Sequence, residues 1–240
     1  MVKQQELIYE GEAKQIYATD DPALAIIRYT DEATAYKGFK KGTIIGKGVV
    51  NNHVSSMAFA MLEENGIPTH FVRRLNERDA LVRRAEIIPV NVVIRNVAAG
   101  SLLQRLGLTE GQVLRRPIIE YCYKSDSLSD PMINRDHIDA LGLATPEEMD
   151  QIQALSRRIN ELLIPFFARY GVQLVDFRIE FGRCGGKIVL ADEISPDSCR
   201  LWDSKTGEKM DKDRFRRDLD DVENGYQEIL RRMTQPVADA

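Results

Sequence analysis

An α+β fold of two lobes is what this sequence predicts, and three features predict it. The opening is rich in short strands and turns. Strands and helices then follow in mixed order, and a glycine-linked strand pair returns late in the chain. The 240 residues, 43% hydrophobic and 29% charged, fit one large domain or two lobes sharing a cleft. That balance excludes a mainly disordered or collagen-like chain.

Each element has a local reason. Leu7-Ile8-Tyr9 and Gln15-Ile16-Tyr17-Ala18 read as strands flanking Glu10-Gly11-Glu12-Ala13-Lys14, and 24–29 continues the pattern. Val50, Val54, Met57, Ala58, Met61 and Leu62 recur at spacings of three and four, predicting a helix over 49–64 that Gly66 and Pro68 stop. Strands are expected at 69–73, 80–83 and 87–94, and Asn96–Ser101 turns into a short helix closed by Gly107. The segment 146–170 reads as a helix. Thr145 and Glu148 form a capping box, Pro146 takes the tolerated first position, and Gly171 closes the end. Leu155, Ile159, Leu162, Leu163, Phe166 and Phe167 form its buried stripe. A hairpin of 172–182 and 187–194 turns through Arg183-Cys184-Gly185-Gly186, and a charged helix is expected over 212–233.

Composition removes several function classes. Lys and Arg number 33 against 37 Asp and Glu, and the net charge of −4 argues against a nucleic-acid partner. The pairs Arg73-Arg74, Arg83-Arg84 and Arg115-Arg116 come with no aromatic RNA-binding motif. Apolar runs such as Ile87-Ile88-Pro89-Val90 fall far short of the roughly 18 residues of a membrane helix, so no membrane partner is expected. The polar start Met1-Val2-Lys3-Gln4-Gln5-Glu6 does not read as a signal peptide. Cys122, Cys184 and Cys199 form no C-x-x-C pair and point to a reducing cytoplasm. His53, His70 and His137 are scattered, and serine-hydrolase, zinc-protease and protein-kinase motifs are absent.

The late hairpin carries the chemistry. In 172–181 the side chains alternate, sending Val175, Phe177, Ile179 and Phe181 to a core and Asp176, Arg178 and Glu180 to the other face. The partner strand adds Asp192 and Glu193, whose adjacency predicts opposite faces. A two-residue Gly185-Gly186 turn would put Glu193, not Asp192, on the face of Asp176. A three-residue loop would put Asp192 opposite Arg178 and diagonal to Glu180. Two carboxylates beside a cation suit magnesium on nucleotide phosphates, and the plain alternative is a solvent-facing strand with ordinary ion pairs. Ser195–Asp203 is expected to be a loop, with Trp202 as its packing anchor and Cys199 incidental. Elsewhere, Tyr9–Lys14 reads as a hairpin turn or a loop over phosphates. Arg95–Ser101 places small residues and two anion-binding side chains at a helix start, or is simply an Ala-rich start packed on the sheet. Lys124–Pro131 reads as a polar lid or connection.

Taken together and in order, Gly11–Lys14, Arg95–Ser101, Asp176–Gly182, Asp192–Asp203 and Lys209–Arg216 resemble the phosphoribosylaminoimidazole-succinocarboxamide synthase (SAICAR synthetase) family in its short bacterial form, over nearly the whole chain. The resemblance implies a two-lobed fold related to ATP-grasp and kinase-like nucleotide binders, with ATP in a cleft between the lobes. It implies a nucleotide-binding lobe at 1–85, and a lobe at 86–240 carrying the metal and ribonucleotide sites. The implied reaction joins L-aspartate to an aminoimidazole carboxylate ribonucleotide through an acyl phosphate, in de novo purine biosynthesis, with ATP as co-substrate and Mg²⁺ as cofactor. Metal ligands would be Glu180 and Asp192. ATP would meet Gly11, Ala13, Lys14, Lys124, Glu180 and Asp192, with adenine near 83–88. The other substrates would meet Arg95, Ser101, Asp176, Arg178, Asp197, Arg200 and Arg216, and the catalytic set would be Asp176, Arg178 and Lys124, with Asp176 as proton acceptor. The family also implies a cytoplasmic homodimer. Glu12 stands where relatives often carry a basic residue, and Arg178 where Lys is common. A small-molecule kinase using the same magnesium–ATP cleft is the alternative reading.

Overall fold

The structure, a computed structural model, describes residues 2–11, 13–35, 40–217 and 219–235. The expectation attached to Glu12 lies outside them, as does position 218 of the expected last helix. The chain builds β1 (Gln4–Glu10), β2 (Lys14–Thr19), β3 (Leu24–Tyr29), β4 (Glu32–Ala35), β5 (Lys40–Thr43), α1 (Lys47–Glu64), β6 (Phe71–Arg74), β7 (Asp79–Arg83) and β8 (Glu86–Val97). It continues through α2 (Ser101–Leu106), β9 (Val113–Tyr123), β10 (Met132–Ile133), α3 (Arg135–Ala140), α4 (Pro146–Ala168), β11 (Val172–Cys184), β12 (Lys187–Ala191), β13 (Cys199–Asp203), α5 (Asp213–Arg216) and α6 (Val222–Thr234). Five strands form one antiparallel sheet in the order β1-β2-β3-β7-β6. A second runs β10-β9-β8-β11-β12, with β13 also on β11, and β4-β5 is a separate ribbon. The class is α+β, as expected.

Strand β11 is the axis of the second sheet. Val175, Phe177, Ile179 and Phe181 are all buried on one face, as alternation requires. Burying each of these side chains stabilises the fold by about 1.5–3 kcal/mol. Helix α4 supplies the opposite wall. Its predicted capping box forms, Glu148 N–H donating to Thr145 Oγ1 (3.2 Å) and Thr145 N–H to Glu148 Oε2 (2.9 Å). Ile159, Leu163, Phe166 and Phe167 are buried on it, while Leu155 and Leu162 pack at its margin. Helix α1 begins two residues before its predicted start, capped from a distance. Asp31 accepts from the Gly46 and Gly48 N–H groups at 3.2 and 2.9 Å, a carboxylate at a helix N-terminus.

Several expectations are corrected. Residues 199–203 are strand, not loop. Strands β4, β5, β9 and β10 and helix α3 were not anticipated. The expected 212–233 helix is two, α5 and α6, with Asp221 left-handed at the start of α6 (φ 57°). The expected 187–194 strand ends at Ala191, because Asp192 is also left-handed (φ 64°).

The sheets are tied where β12 meets the segment before β6. His70 N–H donates to the Leu190 carbonyl and Leu190 N–H to the Pro68 carbonyl, each at 2.9 Å. Beside this tie, a Cβ on Gly182 would stand 2.9 Å from Ala85 Cβ and 3.0 Å from the Glu86 carbonyl. Gly182→Ala is therefore expected to cost about 1–3 kcal/mol through overpacking, read as a lowered thermal midpoint.

Candidate active site

A cleft of about 840 Å³ is lined by residues of both sheets. One half is apolar, walled by Ile8, Ile16, Ala25, Ile27, Val82 and Ile87. The other is charged, walled by Lys14, Lys124, Arg178, Glu180, Asp192 and Glu193. Gly11, Ala13 and Asp197 also line it, as do Arg83 at the end of β7 and Arg84 and Ala85 of the connection to β8.

The charged half is built by β2, β11 and the end of β12. The hairpin takes the two-residue turn, pairing Cys184 with Lys187 and Glu180 with Ala191, with both glycines at positive φ. Pure alternation would then separate Asp192 from Glu180. The ladder ends at Ala191, however, and the left-handed Asp192 redirects the chain. Asp192 and Glu193 consequently do not diverge: Lys14 Nζ binds Asp192 Oδ1 and sits 3.0 Å from Glu193 Oε1. Arg178 Nη2 is 3.8 Å from Asp192 Oδ2, and Lys124 Nζ is 2.5 Å from Glu180 Oε2. A non-glycine residue held left-handed costs free energy, and such strain gathers at ligand sites.

The two acids differ in proton affinity. Burial opposes charge on Asp192, but Lys14 and Arg178 overcome it and hold the carboxyl at about 2. Burial and the neighbouring Asp192 push Glu180 above the usual carboxylate range, against Lys124 and Arg178. The pair therefore takes its first proton at Glu180. Among the described residues no group of three or more His, Cys, Asp or Glu side chains could hold a metal. Two hard carboxylates fit magnesium, which draws its remaining ligands from phosphate and water, and Asp192 Oδ2 is buried without a hydrogen-bond partner.

A second cluster lies further along β11. Asp176 is buried, accepting from Arg95 Nη1 (2.9 Å) and twice from Arg200 Nη1 (3.0 and 2.8 Å). Arg200 Nε also donates to Asp213 (2.7 Å), as does Arg216 Nη1 (2.7 Å). Arg95 Nε donates to Glu120 (2.6 Å), and its Nη2 lies 3.4 Å from Ser101 Oγ. Thus Arg95, Ser101, Asp176, Arg200 and Arg216 gather together but do not line the cleft. Arg178, two residues from Asp176 on the same strand face, stands between the groups, and the β-rise separates Asp176 from Glu180 by roughly 13 Å. Asp176 braces Arg95 and Arg200, not Arg178.

Other partners were not visible in the sequence. Lys47, fully buried, donates to Asp197 Oδ2 (2.9 Å), and Tyr226 OH donates to Oδ1 (2.6 Å). Burial opposes charge on Asp197, yet Lys47 and Lys212 hold its carboxyl well below the usual range. Asp130, at the cleft wall, accepts from Ser125 N–H (2.9 Å) and Asn91 Nδ2 (3.3 Å). Trp202 does anchor its strand, buried with Val97, Ala99 and Val175. Burial pushes the Cys199 thiol up, which fits an inert role.

Gly100 has a specific reason to be glycine. Its φ is +57°, and a Cβ there would lie 2.6 Å from Arg200 Nη2. Gly100→Ala is expected to displace the guanidinium and to cost about 1–3 kcal/mol, read as a lowered thermal midpoint.

The fold and the site define an α+β protein whose two sheets enclose a cleft with one apolar and one ion-paired half, a form suited to a nucleotide. The chain belongs to the SAICAR synthetase family, whose model matches residues 7–233. It is 52% identical over 233 residues to the phosphoribosylaminoimidazole-succinocarboxamide synthase of Clostridium acetobutylicum, covering 97% of this chain and 99% of that one. To the Deinococcus deserti enzyme of the same name it is 54% identical, covering 97% and 98%. The crystal structure of the Ehrlichia chaffeensis synthase superposes with a TM-score of 0.93 at 43% identity, over 98% of this chain and all of that one. A SAICAR synthetase in complex with ADP gives 0.92 at 44% identity, with the same coverage.

Proposed function

We propose that this chain is an ATP-dependent carboxylate–amine ligase that condenses L-aspartate with the aminoimidazole carboxylate ribonucleotide in purine biosynthesis. The observation that carries the reading is the cleft: an apolar half continuous with a half where three acids and three cations meet, in a chain whose residues 7–233 match this family. A relative of similar fold binds ADP.

A carboxylate is a poor acyl donor, so the substrate carboxylate oxygen first attacks the γ-phosphorus of ATP and ADP departs. The aspartate amine then attacks the acyl carbon, the carbon–oxygen bond to phosphate breaks, and the amide forms with loss of a proton. Both steps depend on positioning and on neutralising concentrated charge. Lys14, Lys124 and the backbone at Gly11 and Ala13 hold the polyphosphate, and Glu180 and Asp192 would hold Mg²⁺. That ion, when bound, offsets the phosphates' charge. Arg178 reaches toward the reacting carboxylate from between the two clusters. Arg95, Ser101, Arg200 and Arg216 bind the ribonucleotide phosphate, with Asp176 as their brace, and Asp197 borders the aspartate site. In this reading residues 1–85 form the nucleotide lobe and 86–240 the metal and ribonucleotide lobe, of a cytoplasmic homodimer.

The direct test is ATP turnover with the imidazole carboxylate ribonucleotide, with and without aspartate. A ligase yields the amide, ADP and phosphate only with all three substrates. Repeated turnover to a stable phosphate ester without aspartate, rather than a single acyl phosphate held on the protein, would instead make the chain a kinase. Acidity adds a second expectation. Because Glu180 takes the first proton, apparent Mg²⁺ affinity falls as pH is lowered, and is fully recovered above the raised carboxyl range. Mg²⁺ titrations of initial rate at pH 6 and pH 8 read this directly.

A further inference from the structure

A neutral imidazole always presents one N–H donor and one bare acceptor nitrogen. In His70 both ring nitrogens are shielded from solvent and neither makes a well-formed hydrogen bond among the described residues, although the Leu190 carbonyl lies close enough to favour the protonated ring, and the residue is 5% exposed. A buried donor and acceptor left unmatched cost free energy that a leucine at the same place would not. The backbone of His70 is fixed by its bond to Leu190 and by Arg83 N–H donating to its carbonyl (2.6 Å). One flank of the ring meets Phe59 edge-to-face, at 5.1 Å between centroids and 71° between planes. Another belongs to the cleft wall, with Ala25, Ile27 and Val82. Burial holds the imidazole down to about 4, so it is neutral at pH 7 and offers both a donor and an acceptor.

The phosphates of a nucleotide have Lys14, Lys124 and Arg178 to meet them. An imidazole with one donor and one acceptor nitrogen at the cleft wall matches a partner carrying donors and acceptors on one edge, which is the chemistry of a nucleobase. We propose that His70 is a specificity-determining residue that hydrogen-bonds the base of the bound nucleoside triphosphate, a small turn of the ring bringing a nitrogen to the cleft. This rests on the reading that the cleft takes ATP.

His70→Leu and His70→Gln test it, with ATP and GTP compared at saturating ribonucleotide and aspartate. The leucine variant is expected to raise the KM for ATP about tenfold, leave kcat within about twofold and flatten the ATP-to-GTP ratio of kcat/KM. The glutamine variant, keeping a donor and an acceptor, retains most of the preference. An unchanged ratio in the leucine variant overturns the proposal and leaves His70 a packing residue. Should that variant not fold, the wild-type chain labelled with ¹⁵N-histidine gives the answer. The His70 ring signals should move with a non-hydrolysable ATP analogue and stay put with tripolyphosphate, whereas equal responses to both overturn the proposal. Failure of the ATP reading looks different, as wild-type protein that neither turns over nor binds any nucleoside triphosphate.

Discussion

Asp192→Asn is expected to lower magnesium-dependent ATP turnover on the order of a thousandfold while the protein stays folded. The substitution is unusually clean. Asparagine tolerates the left-handed backbone that Asp192 adopts at φ 64°, so the chain need not rearrange. Lys14 keeps Glu193 at 3.0 Å, so that buried cation is not left unpaired. What disappears is one anionic oxygen ligand of the proposed metal pair. Circular dichroism and a thermal midpoint near that of the wild type establish folding, and initial rates across a Mg²⁺ series establish the loss. Turnover equal to the wild type would reject the metal role of Asp192.

Arg200→Gln is expected to fail in a different way, through stability as well as substrate binding. Arg200 is the shared partner of two buried acids, Asp176 and Asp213. Removing one member of a buried charge network costs about 3–5 kcal/mol, since the remaining charges lose a compensating group. For a chain of this size that is a fall in melting temperature of roughly 6–20 °C. Arg200→Lys should recover part of the stability but not the forked geometry, because an ammonium cannot serve Asp176 and Asp213 together. Thermal unfolding of both variants beside the wild type reads the difference, and an unaltered midpoint in the glutamine variant would show that the network carries no stability.

Much of this arrangement was legible in the chain. The alternation of Val175, Phe177, Ile179 and Phe181 announced the buried face of β11, and Thr145-Pro146 with Glu148 announced the start of α4, because both signals are local. Strand β9 was hidden by Arg115-Arg116-Pro117, a run that lacks alternation and includes a residue unable to donate to a ladder. The Asp31 cap of α1 and the Lys47–Asp197 pair join residues distant in sequence, and nothing local marks them. The meeting of Asp192 and Glu193 on Lys14 was missed for a sharper reason. Alternation assumes extended backbone, and one left-handed residue without glycine cancels it. His137 proved to be part of a helix cap with Asn134, a role its scattered position gave no hint of.

In the proposed reaction ATP activates the ribonucleotide's carboxylate directly. Turnover of substrate carrying ¹⁸O in that carboxylate, with ATP, Mg²⁺ and aspartate, tests it in one measurement by mass spectrometry of the inorganic phosphate released. An acyl phosphate sends one labelled oxygen into each phosphate as the amine displaces it. Phosphate free of label, formed in step with the amide, would contradict the account.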